Sequence, residues 1–136
     1  MRKYLIVISL ALILGACGKK VEMDPLLYDS DEICLMVKGK IVFSYTEGTM
    51  QLSVNPDLRE FRVGNDDMSQ YFMLTCGALP REKGQEFQGN LRWTSGNAVK
   101  TASGLTFKVE KTDENTGLVW LWCAADKTGA VIKFLN

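Results

Sequence analysis

Most activated serine and cysteine nucleophiles rely on an imidazole base, and this 136-residue chain contains no histidine. Ser-His-Asp and Cys-His pairs, histidine-bound zinc and a histidine pH switch are therefore ruled out. Carboxylates, thiols and indoles remain. Paired carboxylates perform acid–base work at a glycosidic bond. The close pairs here are Asp66-Asp67, Asp29/Asp31/Glu32 and Asp113/Glu114, and all fall in predicted turns or in the N-terminal linker, where such residues are ordinarily solvated. Asp113-Glu114-Asn115-Thr116-Gly117 has the outline of a calcium loop. It is too short for an EF-hand and lacks the distal bidentate Glu, and a hairpin turn explains it. No glycine-rich phosphate loop follows a strand and opens a helix, and no C-x-x-C is present. Arg59, Arg62, Arg81, Lys83 and Arg92 are scattered, which reads as solvated strand faces, and no basic excess exists to track phosphates. The reading is a non-enzyme with no catalytic residues, no metal, no cofactor and no nucleic-acid partner.

The thiols and indoles lie in apolar runs. Cys34, Cys76 and Cys123 sit in Ile33–Val37, Tyr71–Cys76 and Val119–Cys123. Three is an odd number, so at most one bridge forms within a monomer, and buried free thiols acting as small hydrophobes are the plain reading. Leu118-Val119-Trp120-Leu121-Trp122-Cys123 is apolar on both faces, so this strand needs a second cover. If Val119, Leu121 and Cys123 face the core, Trp120 and Trp122 stand side by side outside it. Either the linker around Leu26, Leu27 and Tyr28 folds over them, or they form an exposed platform for a protein, a sugar ring or a membrane surface. The opposite register, with both indoles inside, fits the sequence equally well.

The elements that must position these residues alternate with period two. Met50, Leu52 and Val54 oppose Gln51 and Ser53; Phe87, Gly89, Leu91 and Trp93 oppose Gln88, Asn90 and Arg92; Leu105, Phe107 and Val109 oppose Thr106 and Lys108. Such alternation marks half-buried antiparallel strands. Turn residues fall between them at short intervals, and Asp113–Gly117 and Asp126–Gly129 suit hairpin loops closing on a left-handed residue. About eight strands are expected, near 32–37, 41–46, 49–54, 59–63, 70–76, 86–94, 105–112 and 118–124, with 130–135 a candidate ninth. The fold class is all-β: a small antiparallel meander, either a lipocalin/calycin-like barrel or a two-sheet sandwich. Length and composition fit one ordinary domain.

The N-terminus is of a different kind. Met1-Arg2-Lys3 precedes an apolar run from Tyr4 to Leu14 that is too short to span a membrane as a helix. The run ends in Leu14-Gly15-Ala16-Cys17, which resembles a bacterial lipobox. The resemblance covers residues 1–17 alone and implies a signal peptide over 1–16 and acylation of Cys17. Several acyl chains hold a protein firmly at a membrane. Residues 17–31 then read as a lipidated tether and 32–136 as one antiparallel β domain. Cleavage before Cys17 takes Arg2 and Lys3 with it and leaves a slightly acidic chain. Gly18 at the second mature position favours an outer-membrane anchor, with the domain facing the periplasm.

A second resemblance covers about 30 residues. Small lipobox-bearing barrels that inhibit C-type lysozyme carry Ser-Gly-x-x-Tyr, a strand ending in Trp, then a loop with Lys-Gly. Ser103-Gly104-Leu105-Thr106-Phe107 is similar to the first, with Phe in place of Tyr, and Trp122 followed by Lys127-Thr128-Gly129 to the second. This resemblance implies that Ser103 and Lys127 reach into an acidic enzyme cleft. The expected function is a cell-envelope lipoprotein that binds without catalysis, with lysozyme inhibition and carriage of a small apolar ligand as alternatives.

Overall fold

The structure, a computed structural model, describes residues 22–134. A single four-residue helix, α1 (Pro25–Tyr28), leads into nine strands: β1 (Cys34–Val37), β2 (Lys40–Ser44), β3 (Met50–Asn55), β4 (Glu60–Asn65), β5 (Tyr71–Cys76), β6 (Glu86–Ser95), β7 (Ala98–Asp113), β8 (Leu118–Cys123) and β9 (Thr128–Lys133). The chain is all-β, as the alternation requires. Among the described residues no helix is long and apolar enough to cross a membrane.

All nine strands form one antiparallel sheet in the order β2-β1-β9-β8-β7-β6-β5-β4-β3. Strands adjacent in sequence are adjacent in the sheet, except β2 and β3, which end at opposite edges because β1 reaches across to β9, pairing Cys34 with Val131 and Met36 with Gly129. That pairing curls the meander into a half-barrel. Its two edges, β2 and β3, are successive in sequence and only residues 45–49 separate them, a link that spans at most about 20 Å. Phe43 of β2 duly meets Phe72 of β5 edge-on, at 5.1 Å between ring centroids. Alternating direction over nine strands leaves the two edges pointing the same way, so no hairpin zips them together. The barrel stays open along β2 and β3.

The inner face is filled by the periodic residues. Phe61 and Phe72 pack at 5.6 Å and Phe87 and Phe107 at 6.1 Å, with Val63, Leu74, Val109 and Leu121 fully buried among them. β7 is longer than the alternation indicates, because Ser95 pairs with Ala98 across a two-residue turn and extends the β6–β7 hairpin. Backbone pairing carries this extension, since Val99 at its tip is exposed. Hairpin chemistry holds at Gly117, which has φ +79°, but in the β8–β9 turn Lys127 takes the left-handed conformation (φ +51°) instead of Gly129.

Candidate functional site

Register decides where the indoles go. Val109 pairs with Leu121, and after a bulge Lys111 pairs with Trp120, while Lys108 pairs with Trp122. Leu121 shares the inner face with Val109, so Trp120 and Trp122 are on the outer wall. Neither is an exposed platform. They are 4% and 3% exposed, and all six residues of β8 are buried.

The cover is the chain's own N-terminal segment. Asp24 caps α1 by accepting from the Leu26 N–H at 2.9 Å, and Pro25 begins the helix where its missing N–H costs nothing. The turn sets Leu27, fully buried, onto the outer wall. There Met23, Cys34, Met36, Val131 and the two indoles extend the apolar core onto the outer side of the sheet. The Trp120 indole N–H donates to the Ser30 carbonyl at 3.0 Å. Lys111 Nζ donates to the Tyr28 carbonyl at 2.8 Å and lies 4.3 Å from the ring centres of both Tyr28 and Trp120. The ammonium thus clasps the segment through a hydrogen bond and two aromatic faces. Gly129 allows the approach: a Cβ there would stand 2.5 Å from the Leu121 carbonyl oxygen, 2.7 Å from Leu27 Cδ2 and 2.8 Å from Trp122 Cε3. Residues 23–30, expected to be tether, are therefore part of the packed domain.

Between this segment and the outer faces of β6, β7 and β8 runs a groove of about 760 Å³. Trp122 lies at its base and Tyr28 on the segment side, with Lys83, Glu86, Lys108 and Glu110 along the sheet side. Both charge signs beside aromatic surface suit an amphiphilic ligand with a polar and an apolar part. The sequence pointed to Trp122 but missed Lys111, because its placement opposite Trp120 depends on a bulge that no local pattern announces.

The other candidates are dispersed. Cys34, Cys76 and Cys123 are buried free thiols. Burial pushes the Cys76 thiol up to about 12 against the opposing pull of Arg59, and burial likewise raises Cys34, whose thiol donates to Ser30 Oγ at 3.7 Å. Neither thiol is therefore primed as a thiolate nucleophile at neutral pH. Ser103 is exposed on β7 beside Gly104, whose N–H donates to Asn90 Oδ1 at 2.9 Å; Lys127 is exposed in the β8–β9 turn. Asp67 is fully exposed, and hydrogen bonds from Ser69 hold its carboxyl below the usual range. Asp66 accepts from the Gln51 side chain at 3.1 Å and so ties the β4–β5 turn to β3, and Asp113 accepts from the Asn115 N–H at 2.9 Å and so serves its own turn. Among the described residues no three His, Cys, Asp or Glu side chains gather as metal ligands. Cys17 and the signal-like run 1–16 lie outside the described residues.

No family model matches the chain, and neither does any curated protein or solved structure.

Proposed function

We propose that this protein is an envelope lipoprotein, fixed to the outer membrane through acyl chains on Cys17 and facing the periplasm, which binds a ligand without transforming it. The observation that carries the binding part is the outer groove over Trp122. It is large enough for a small ligand, opens to solvent and combines aromatic surface with lysines and glutamates. Its rim begins at Glu22, five residues after Cys17 in the sequence, so an anchor there keeps the groove within about 20 Å of the membrane surface. Ligands presented at that surface are the class in reach.

Two measurements test this reading. Palmitate labelling of the full chain, with loss of label in Cys17→Ser, tests the anchor; an unlabelled chain removes it. A thermal-shift screen with fatty acids, disaccharides and short peptides tests the groove. A stabilising ligand whose effect disappears in Thr106→Trp, which fills the groove, supports the site. No shift from any of the three classes, or a shift that Thr106→Trp leaves intact, discards it. Lysozyme inhibition is the second reading, favoured by the solvent exposure of both Ser103 and Lys127. An equimolar turbidity assay with no slowing of lysis disposes of it.

A further inference from the structure

The free edge of β3 has a geometry that its own sequence can complete. In the β4–β5 ladder, Asn65 N–H donates to Gln70 O at 3.0 Å and Cys76 N–H donates to Arg59 O at 2.8 Å. The odd-numbered residues of β4 therefore turn their backbone groups toward β5, and the even-numbered ones toward β3. Arg62 and Gly64 of β4 pair with Ser53 and Gln51. That leaves Met50, Leu52 and Val54 with their N–H and C=O groups directed away from the sheet. The same three residues form the apolar face of the strand, and Leu52 and Val54 are 37% and 38% exposed.

Open edges are usually guarded by charge, proline, shortness or a bulge. β2, the other edge, has Lys40, only five residues and an irregular register against β1. β3 has none of these guards: Met50-Gln51-Leu52-Ser53-Val54-Asn55 carries no charge and no proline, and its pairing with β4 runs without a shift. The pattern also reads the same in both directions, apolar and polar by turns about Leu52.

We propose that β3 pairs with β3 of a second copy of this chain, antiparallel, on a two-fold axis through Leu52. Leu52 then faces Leu52 of the second copy, Met50 faces Val54, and Gln51 faces Ser53. Every outward N–H and C=O of residues 50, 52 and 54 finds a partner, and all six apolar side chains share one face. A one-residue slip sets outward backbone groups against groups already committed to β4, and it also mixes the faces. A second copy is the occupant because an uncharged strand offers nothing to select a charged segment, while it complements itself at every position. Glu47 and Asp57, which oppose each other in this register, lie beyond the paired residues in exposed turns, where solvent and salt screen them. Asp66, already bonded to the Gln51 side chain at 3.1 Å, is on the polar face of the strand. The pairing is independent of the groove over Trp122.

The test is disulfide trapping of the full-length chain in cells, read on non-reducing gels with the unsubstituted chain as background. Facing residues in such a ladder have Cα atoms about 5.5 Å apart, inside disulfide range. Leu52→Cys alone, and Met50→Cys co-expressed with Val54→Cys, are expected to give a band at twice the monomer mass. Ser53→Cys alone, displaced by two residues from its own copy, is expected to stay at background. Absence of the doubled band from both facing combinations overturns the proposal. So does a band of equal strength from Ser53→Cys, or a crosslink to a polypeptide of another mass.

Discussion

β8 and β3 are both six residues long, both belong to the same sheet, and their surroundings are opposite. β8 is buried at every position, whereas β3 is exposed at five of its six. β8 lies between β7 and β9 with the filled interior on one side and residues 23–30 on the other. β3 has a single neighbour, and its apolar residues stand at the open mouth of the half-barrel. The comparison teaches that a strand's own pattern states which faces seek cover, while its place in the sheet decides whether cover arrives.

The largest expected effect is on the covered wall. Trp120→Ala removes a buried ring together with its bond to Ser30 and its contact with Lys111, and should cost about 3–5 kcal/mol in denaturant unfolding. The comparable truncation on the bare wall, Leu52→Ala, should cost the monomer well under about 1 kcal/mol, measured at a concentration where pairing is absent. Equal costs at the two sites would erase the distinction between the walls.

Gly129→Ala sharpens the contrast by crowding the interface between the segment and the wall. Overpacking of this kind costs about 1–3 kcal/mol. The new methyl would meet the Leu121 carbonyl oxygen at 2.5 Å and Leu27 Cδ2 at 2.7 Å. Leu27→Ala in the same chain should therefore recover only the Leu27 share of the loss and leave the backbone clash, which still makes the two changes non-additive in a double-mutant cycle. Strict additivity would mean that Leu27 does not sit where the geometry puts it.

Alkaline titration gives an effect of comparable size by about two pH units above the ordinary thiol value. The Cys76 thiol stays protonated in the fold up to about 12, against 9.0 for an unburied thiol. Below pH 9 both states hold the proton and the burial of the neutral thiol is fully favourable. Above it only the unfolded chain ionises, so stability should fall by about 1.4 kcal/mol per pH unit from this group until the folded thiol also titrates. Cys34 moves in the same direction. Cys76→Ala should flatten the decline between pH 9 and 12; an unchanged slope would place the titrating group elsewhere.

The smallest effect concerns the clasp. Lys111→Met keeps most of the stem but loses the hydrogen bond to Tyr28 and the cation between the two rings. A loss of about 1–2 kcal/mol is expected, and acrylamide should then quench Trp120 more readily. Unaltered quenching would show that Leu27 alone holds the segment down.

The strands, their turns and the doubly apolar nature of β8 were legible because each depends on local spacing. The choice between the two tryptophan registers was not, since it rests on pairings such as Val109 with Leu121 and on the bulge that follows. The cover was only half legible. Asp24-Pro25 is a recognisable helix start, yet a single turn has no periodicity of its own, so no local pattern marks that Leu27 packs onto the sheet. The exposure of Leu52 and Val54 contradicts the half-buried reading of their alternation. That outcome follows from β1 pairing with β9, a contact between residues nearly a hundred positions apart, which leaves β3 as an edge.

Residues 23–30 also set how the molecule answers to force. A pull on its N-terminal end reaches the barrel first through the lid formed by Leu27, Tyr28 and Ser30, and only afterwards through β1, which is hydrogen-bonded along both sides. Tension would peel this lid one contact at a time and bare Trp120 while the meander stays whole.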